Sequence, residues 1–122
     1  MSRFTVTYRM RLKSESNMRD SHWSQRYRRR KACRDLGFWL VKMQSWMAAP
    51  AALKVTLTRV APSTGLDDDN LRGAFKSVRD GIADKLMRKD NDPDIEWCYS
   101  QSRGDWGIEI TIEESPRAYT NA

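Results

Sequence analysis

Phe4, Val6, Tyr8, Met10 and Leu12 alternate with Thr5, Thr7, Arg9 and Arg11, a period of two that predicts a strand with one buried face. Residues 13–21 are polar and irregular, and Asp20 or Ser21 can cap a long helix running to about Met47 and ending before Pro50. Along it Ala32, Leu36, Trp39, Leu40, Met43 and Met47 recur at steps of three and four, which predicts the buried stripe. Arg26, Arg30 and Arg34 fall opposite, with Trp23 and Tyr27. Leu53, Val55 and Leu57 predict a second strand, and a Pro-Ser-Thr-Gly loop at 62–65 leads into a second helix striped by Leu71, Phe75, Val78, Ile82 and Leu86. At about 100° per residue, Asp69, Gly73, Lys76 and Asp80 gather on the other side of that helix. Ile95, Trp97 and Tyr99 then alternate, Ser102 to Asp105 turns, and Trp106, Ile108, Ile110 and Ile112 alternate back, which predicts a hairpin.

Charge divides this pattern in two. Residues 1–66 carry 14 Lys/Arg against 3 Asp/Glu, a net of +11; residues 67–122 carry 8 against 13, a net of −5, and the sum is the chain's +6. A basic half suits a polyanion, whose counterions are released on binding, and an acidic cluster beside it suits the Mg²⁺ that phosphate chemistry uses. The 122 residues make one domain with a real core and are too few for two. Cys33 and Cys98 form no CxxC pair and His22 is the only histidine, so a zinc site and a disulfide framework are both unexpected. Two free, buried thiols fit a reducing cytoplasm. The first residues lack the apolar run of a signal peptide, and the most apolar window, Leu36 to Leu53, is interrupted by Lys42, Gln44 and Pro50, so no membrane role is expected.

The chemistry concentrates in Asp67-Asp68-Asp69-Asn70-Leu71, with Lys76 and Asp80 following on the helix and Asp90 and Asp92 beyond it. Two like charges 4 Å apart repel by about 4 kcal/mol at an effective dielectric of about 20, so adjacent aspartates need a cation or a helix end to compensate. One capping aspartate recovers about 1 kcal/mol, which explains one of the three. Divalent metal is the simplest reason for the others. The run Asp90-x-Asp92-x-Asp94-x-Glu96 superficially resembles a calcium loop, but Ile95 stands where that loop needs glycine and Gln101 where it needs the bidentate glutamate.

These residues resemble the RusA-like crossover junction endodeoxyribonucleases, small homodimeric enzymes often found in phages and prophages. Asp67-Asp68-Asp69-Asn70-Leu71 resembles the family's Asp-x-Asp-Asn-Leu; Lys76 with Asp80, the Asp90-Asn91-Asp92 stretch, and Asn17 with His22-Trp23 before a basic helix extend the likeness over residues 4–112. The resemblance implies an α/β fold in which a small mixed sheet of about four strands packs with two helices in a single domain, residues 1–113, followed by a loose tail at 114–122. It also implies a homodimer that uses Mg²⁺, with Mn²⁺ as a substitute, to place paired symmetric nicks in four-way DNA junctions during recombination and repair, in the host cytoplasm. Position by position, Asp67 and Asp69 match the first two metal carboxylates, Asp90 the third, and Asn70 the motif asparagine. Two departures stand out: Gly73 occupies the place of the usual catalytic lysine, for which Lys76 is the candidate substitute, and Lys89 replaces an acid beside Asp90, which makes Asp92 a stand-in ligand.

The candidate catalytic set is therefore Asp67, Asp69, Asp90 and Lys76, the metal set Asp67, Asp69, Asp90 and Asp92, and the DNA contacts Arg26, Arg29, Arg30, Arg34, Asn70 and Arg72. Plainer readings stand beside these. Asp67 to Asp69 can be a helix cap complementing the dipole, Lys76 and Asp80 an ordinary i, i+4 pair, Trp23 and Tyr27 packing or dimer residues, and His22 a structural polar group. A protein that keeps the fold and binds DNA without turnover, and a nuclease of RNA or single strands, are the alternative functions.

Overall fold

The computed structural model describes residues 3–13, 23–44 and 50–115, in the order β1 (Arg3–Tyr8), α1 (Trp23–Lys42), β2 (Leu53–Ala61), α2 (Asp68–Leu86), β3 (Ile95–Arg103) and β4 (Gly107–Glu114). One mixed four-stranded sheet and two helices make an α/β complement, as the sequence leads one to expect. The contacts divide into a sheet unit drawn from residues 3–12, 50–65 and 91–115 and a helical unit drawn from residue 13, 23–44 and 66–90.

In the sheet unit the strand order is β1-β4-β2-β3. β2 pairs in parallel with β3, Leu57 opposite Tyr99, and antiparallel with β4, Leu57 opposite Ile110; β1 pairs antiparallel with β4, Val6 opposite Ile110. The expected β3–β4 hairpin is thereby corrected: both strands and the turn between them exist, but β2 lies between them. Alternation specifies which face of a strand is buried and says nothing of which strand is its neighbour. The turn instead passes over the end of β2, where the Gly104 N–H donates to the Ala61 carbonyl oxygen at 3.1 Å. Parallel pairing of β2 with β3 in turn needs a long crossover, and the segment containing α2 supplies it. Leu53, Val55, Leu57 and Ala61 of β2 and Ile108, Ile110 and Ile112 of β4 are buried together. β4 runs through Glu114, with Ser115 buried and its N–H donating to the Ala52 carbonyl oxygen at 2.9 Å, so order continues slightly past the boundary the alternation suggests.

In the helical unit α1 packs on α2 through two glycines. A Cβ on Gly37 would overlap the Val78 carbonyl oxygen, and one on Gly81 the Arg34 carbonyl oxygen, so the backbones meet where no side chain intervenes. This contact shifts the buried face of α1 away from the expected stripe. Cys33, Leu36, Gly37, Leu40, Val41 and Gln44 turn inward, while Ala32, Trp39 and Met43 are exposed and the helix stops at Lys42. Met47 and the Asp20 and Ser21 caps lie outside the described residues. The stripe of α2 is as expected at Leu71, Phe75, Val78 and Ile82, with Leu86 half-buried. α2 ends on Met87 in the left-handed conformation, φ 58°, its N–H satisfied by the Ala83 and Asp84 carbonyl oxygens.

Candidate active site

Asp67 is the N-cap of α2. Its Oδ1 accepts from the Asn70 N–H at 2.8 Å and its own carbonyl accepts from the Leu71 N–H at 2.9 Å, so the loop 62–65 hands the chain to the helix through this residue. Asp68 and Asp69 occupy the first turn, exposed, and neither carboxylate has a side-chain partner among the described residues. The first-turn N–H groups and the helix dipole favour negative charge here, which offsets part of the mutual repulsion of the three aspartates. Asn70 is half-buried and Arg72 exposed on the same turn.

Lys76 lies two helical turns further along, exposed, with its Nζ 3.7 Å from Asp80 Oδ2. That pair points it toward the C-terminal end of α2 and into a groove of about 400 Å³ between the helices. Tyr27, Arg30, Lys31 and Arg34 of α1 line the other wall. The sequence-predicted arginines thus separate by role. Arg26 and Arg30 are exposed and Arg29 is half-buried, whereas Arg34 is tied to Asp84 by Nε at 2.7 Å and Nη2 at 3.1 Å, and its pKa is raised by that carboxylate. Lys31, which the periodicity did not single out, pairs with Asp35 at 2.9 Å. Tyr27 and Trp23 are largely exposed, so the aromatic surface beside the arginines faces outward. His22 lies outside the described residues.

Asp90 follows the other end of α2. The Arg79 Nη2 donates to the Asp90 carbonyl oxygen at 2.7 Å. Asp92 is half-buried and serves the turn before β3: its Oδ1 accepts from the Asp94 N–H at 2.8 Å and its carbonyl from the Ile95 N–H at 3.1 Å. The turn signal was present in Asn91-Asp92-Pro93-Asp94, where an Asx turn precedes a strand.

A divalent cation finds hard oxygen donors at Asp67 and Asp69, and one or two carboxylates completed by water and substrate phosphate are the ordinary shell of Mg²⁺. Asp67 keeps its Oδ2 after capping, so the donor set fits in kind. Among the described residues no group of three His, Cys, Asp or Glu side chains converges to hold a metal. The residues carrying the resemblance are therefore an aspartate pair at one helix end and a lysine in a cationic groove, with Asp90 and Asp92 in the segment beyond. No helix among the described residues is long and apolar enough to cross a membrane. No protein-family model matches the chain, and no curated protein matches it.

Proposed function

We propose that the protein is a Mg²⁺-dependent, structure-selective endodeoxyribonuclease of the RusA-like kind, working as a homodimer on branched DNA such as four-way junctions. The observation that carries the reading is Asp67-x-Asp69-Asn70-Leu71 at the start of α2, where capping occupies one oxygen of Asp67 and leaves the carboxylates of Asp68 and Asp69 exposed and without side-chain partners among the described residues. Capping alone asks for one aspartate, and three like charges in succession need a positive ligand.

When bound, Mg²⁺ would supply an activated water and charge neutralisation at the scissile phosphate. Asp67 and Asp69 would hold it from the end of a rigid helix, while Asn70, immobilised by its own N–H to Asp67, keeps the pair in register. Lys76 would be the cation of the site: released from Asp80, its long exposed side chain can place positive charge against the developing charge on phosphate. Arg26, Arg29, Arg30 and Arg72 would contact backbone phosphates, positioning the strand without reading its bases. A two-fold dimer would present two such sites, which paired nicking requires.

Asp69→Asn should abolish metal-dependent cleavage of a synthetic four-way junction by at least about a hundredfold while leaving junction binding intact; undiminished cleavage would remove Asp69 from the site. One observation favours a second reading, a binding protein of the same fold with weak turnover: Gly73 stands where the family's lysine is usual. Gly73 has open space around it, so Gly73→Lys is sterically tolerated, and a gain of cleavage in that variant would separate a nuclease with a displaced lysine from a protein that only binds.

A further inference from the structure

Arg59 interrupts the inward-facing column of β2. Leu53, Val55, Leu57 and Ala61 on the same side are fully buried, and Arg59 itself is 7% exposed. A guanidinium cannot shed its charge, so a buried one needs an anion. No carboxylate pairs with it among the described residues. Nη1 donates to the Ser63 carbonyl oxygen at 3.0 Å and to Gln101 Oε1 at 3.2 Å; Nε is buried without an acceptor, and Nη2 has none among the described residues.

A second cation comes to the same place. Arg11 lies 4.7 Å from the centroid of the Trp106 ring and Arg59 lies 5.5 Å from it, so one indole braces two like charges. Burial first, and then the charge of Arg11, pulls the pKa of Arg59 below its ordinary value. A ring contact offsets only a fraction of the cost of an unpaired buried charge, so aromatic packing alone does not account for the arrangement. Exposed Arg9 follows β1 and exposed Arg103 ends β3 at the same end of the sheet, where Tyr8 pairs with Ile108 and Ala61 with Arg103; Asp105 is the acid in the adjoining turn. One free phosphate would use a single guanidinium fork. Cations spread across four strands, about 14 Å at the usual strand spacing, match successive phosphates of a chain.

We propose that Arg59 and Arg11, braced on Trp106, form a phosphate site for the backbone of a nucleic-acid strand, an assignment that rests on the nuclease reading for the identity of its ligand. The Nη2 edge of Arg59 and the guanidinium of Arg11 are the donors, and the Ser63 and Gln101 bonds fix the plane of the buried fork.

The test uses the full chain in EDTA, so that binding is read without cleavage, with a labelled four-way junction and a labelled single strand titrated across a range of NaCl. Arg11→Gln and Arg59→Gln should each weaken binding about tenfold and make the log–log salt dependence shallower by about one unit. Thermal melting reports whether each variant is folded; Arg11 is exposed, so its variant keeps the test decisive if Arg59→Gln does not fold. Unchanged affinity and slope in folded Arg11→Gln would overturn the site. Inorganic phosphate supplies the second arm: if it raises the melting temperature over chloride at equal ionic strength, and Arg11→Gln loses that rise while binding strands normally, the ligand is free phosphate and the strand assignment is overturned. Absent Mg²⁺-dependent cleavage with arginine-dependent strand binding would sink the nuclease reading and sustain this site; cleavage with arginine-independent binding would do the reverse.

Discussion

A single aspartate illustrates how chemistry and stability share side chains here. Asp67 is both the first residue of the proposed metal motif and the N-cap of α2, so its removal should register in two unrelated measurements. Asp67→Ala is expected to lower the free energy of unfolding by about 1 kcal/mol in urea titration, whereas Asp69→Asn, exposed and outside the cap, should stay within about 0.5 kcal/mol. Cys33 makes a contrasting case. It is a free, half-buried thiol on the inward face of α1, and burial raises its pKa while Arg29 opposes the rise. A raised folded value means that the stability held by the neutral thiol is whole below the unfolded value of about 8.5 and is lost as pH climbs through the folded one. Alkylation of Cys33 by iodoacetamide should therefore be slow at pH 7 in the folded protein and accelerate on unfolding in urea; equal rates in both states would contradict the burial.

At the level of elements, both helices were legible in the sequence, but only α2 had a legible buried face, for a physical reason. The start and stripe of α2 come from local residues, an aspartate cap and apolar side chains at regular spacing, and the structure keeps them. The inward face of α1 is organised around Gly37, which carries no hydrophobicity, while Trp39 and Met43 of its expected stripe face outward. Gly81→Ala should force the helices apart and cost about 3 kcal/mol by thermal or urea unfolding, at the upper end of ordinary overpacking. Gly73→Ala on the same helix meets open space and should gain about 0.5–1 kcal/mol from backbone entropy alone. The strands show the complementary failure: all four were found, though β1 ends at Tyr8 and not Leu12 and β2 runs on to Ala61, and alternation could not reveal that β2 separates β3 from β4. For the same reason the place of Arg59 is not legible in the sequence, since it stands fourth in a buried column whose face only the assembled sheet defines.

For the molecule as a whole, the motif aspartates and the basic helix were readable because they are contiguous in sequence. The placement of the remaining candidates was not, because Asp90 and Asp92 follow α2 and lie where the chain goes after the helix ends, which the stripe does not specify. The order of the strands has one more effect, on how the chain assembles. Every paired edge of the sheet joins segments remote in sequence: Leu53 meets Ile95, Val60 meets Gly107, and Phe4 waits for Ile112. No pair of strands can nucleate as a local hairpin, so the entropy of closing long loops comes due before any ladder forms. Refolding from urea should accordingly take milliseconds to seconds; microsecond folding would contradict this topology. During synthesis the first strand must leave the ribosome unpaired and remain so until β4 has emerged.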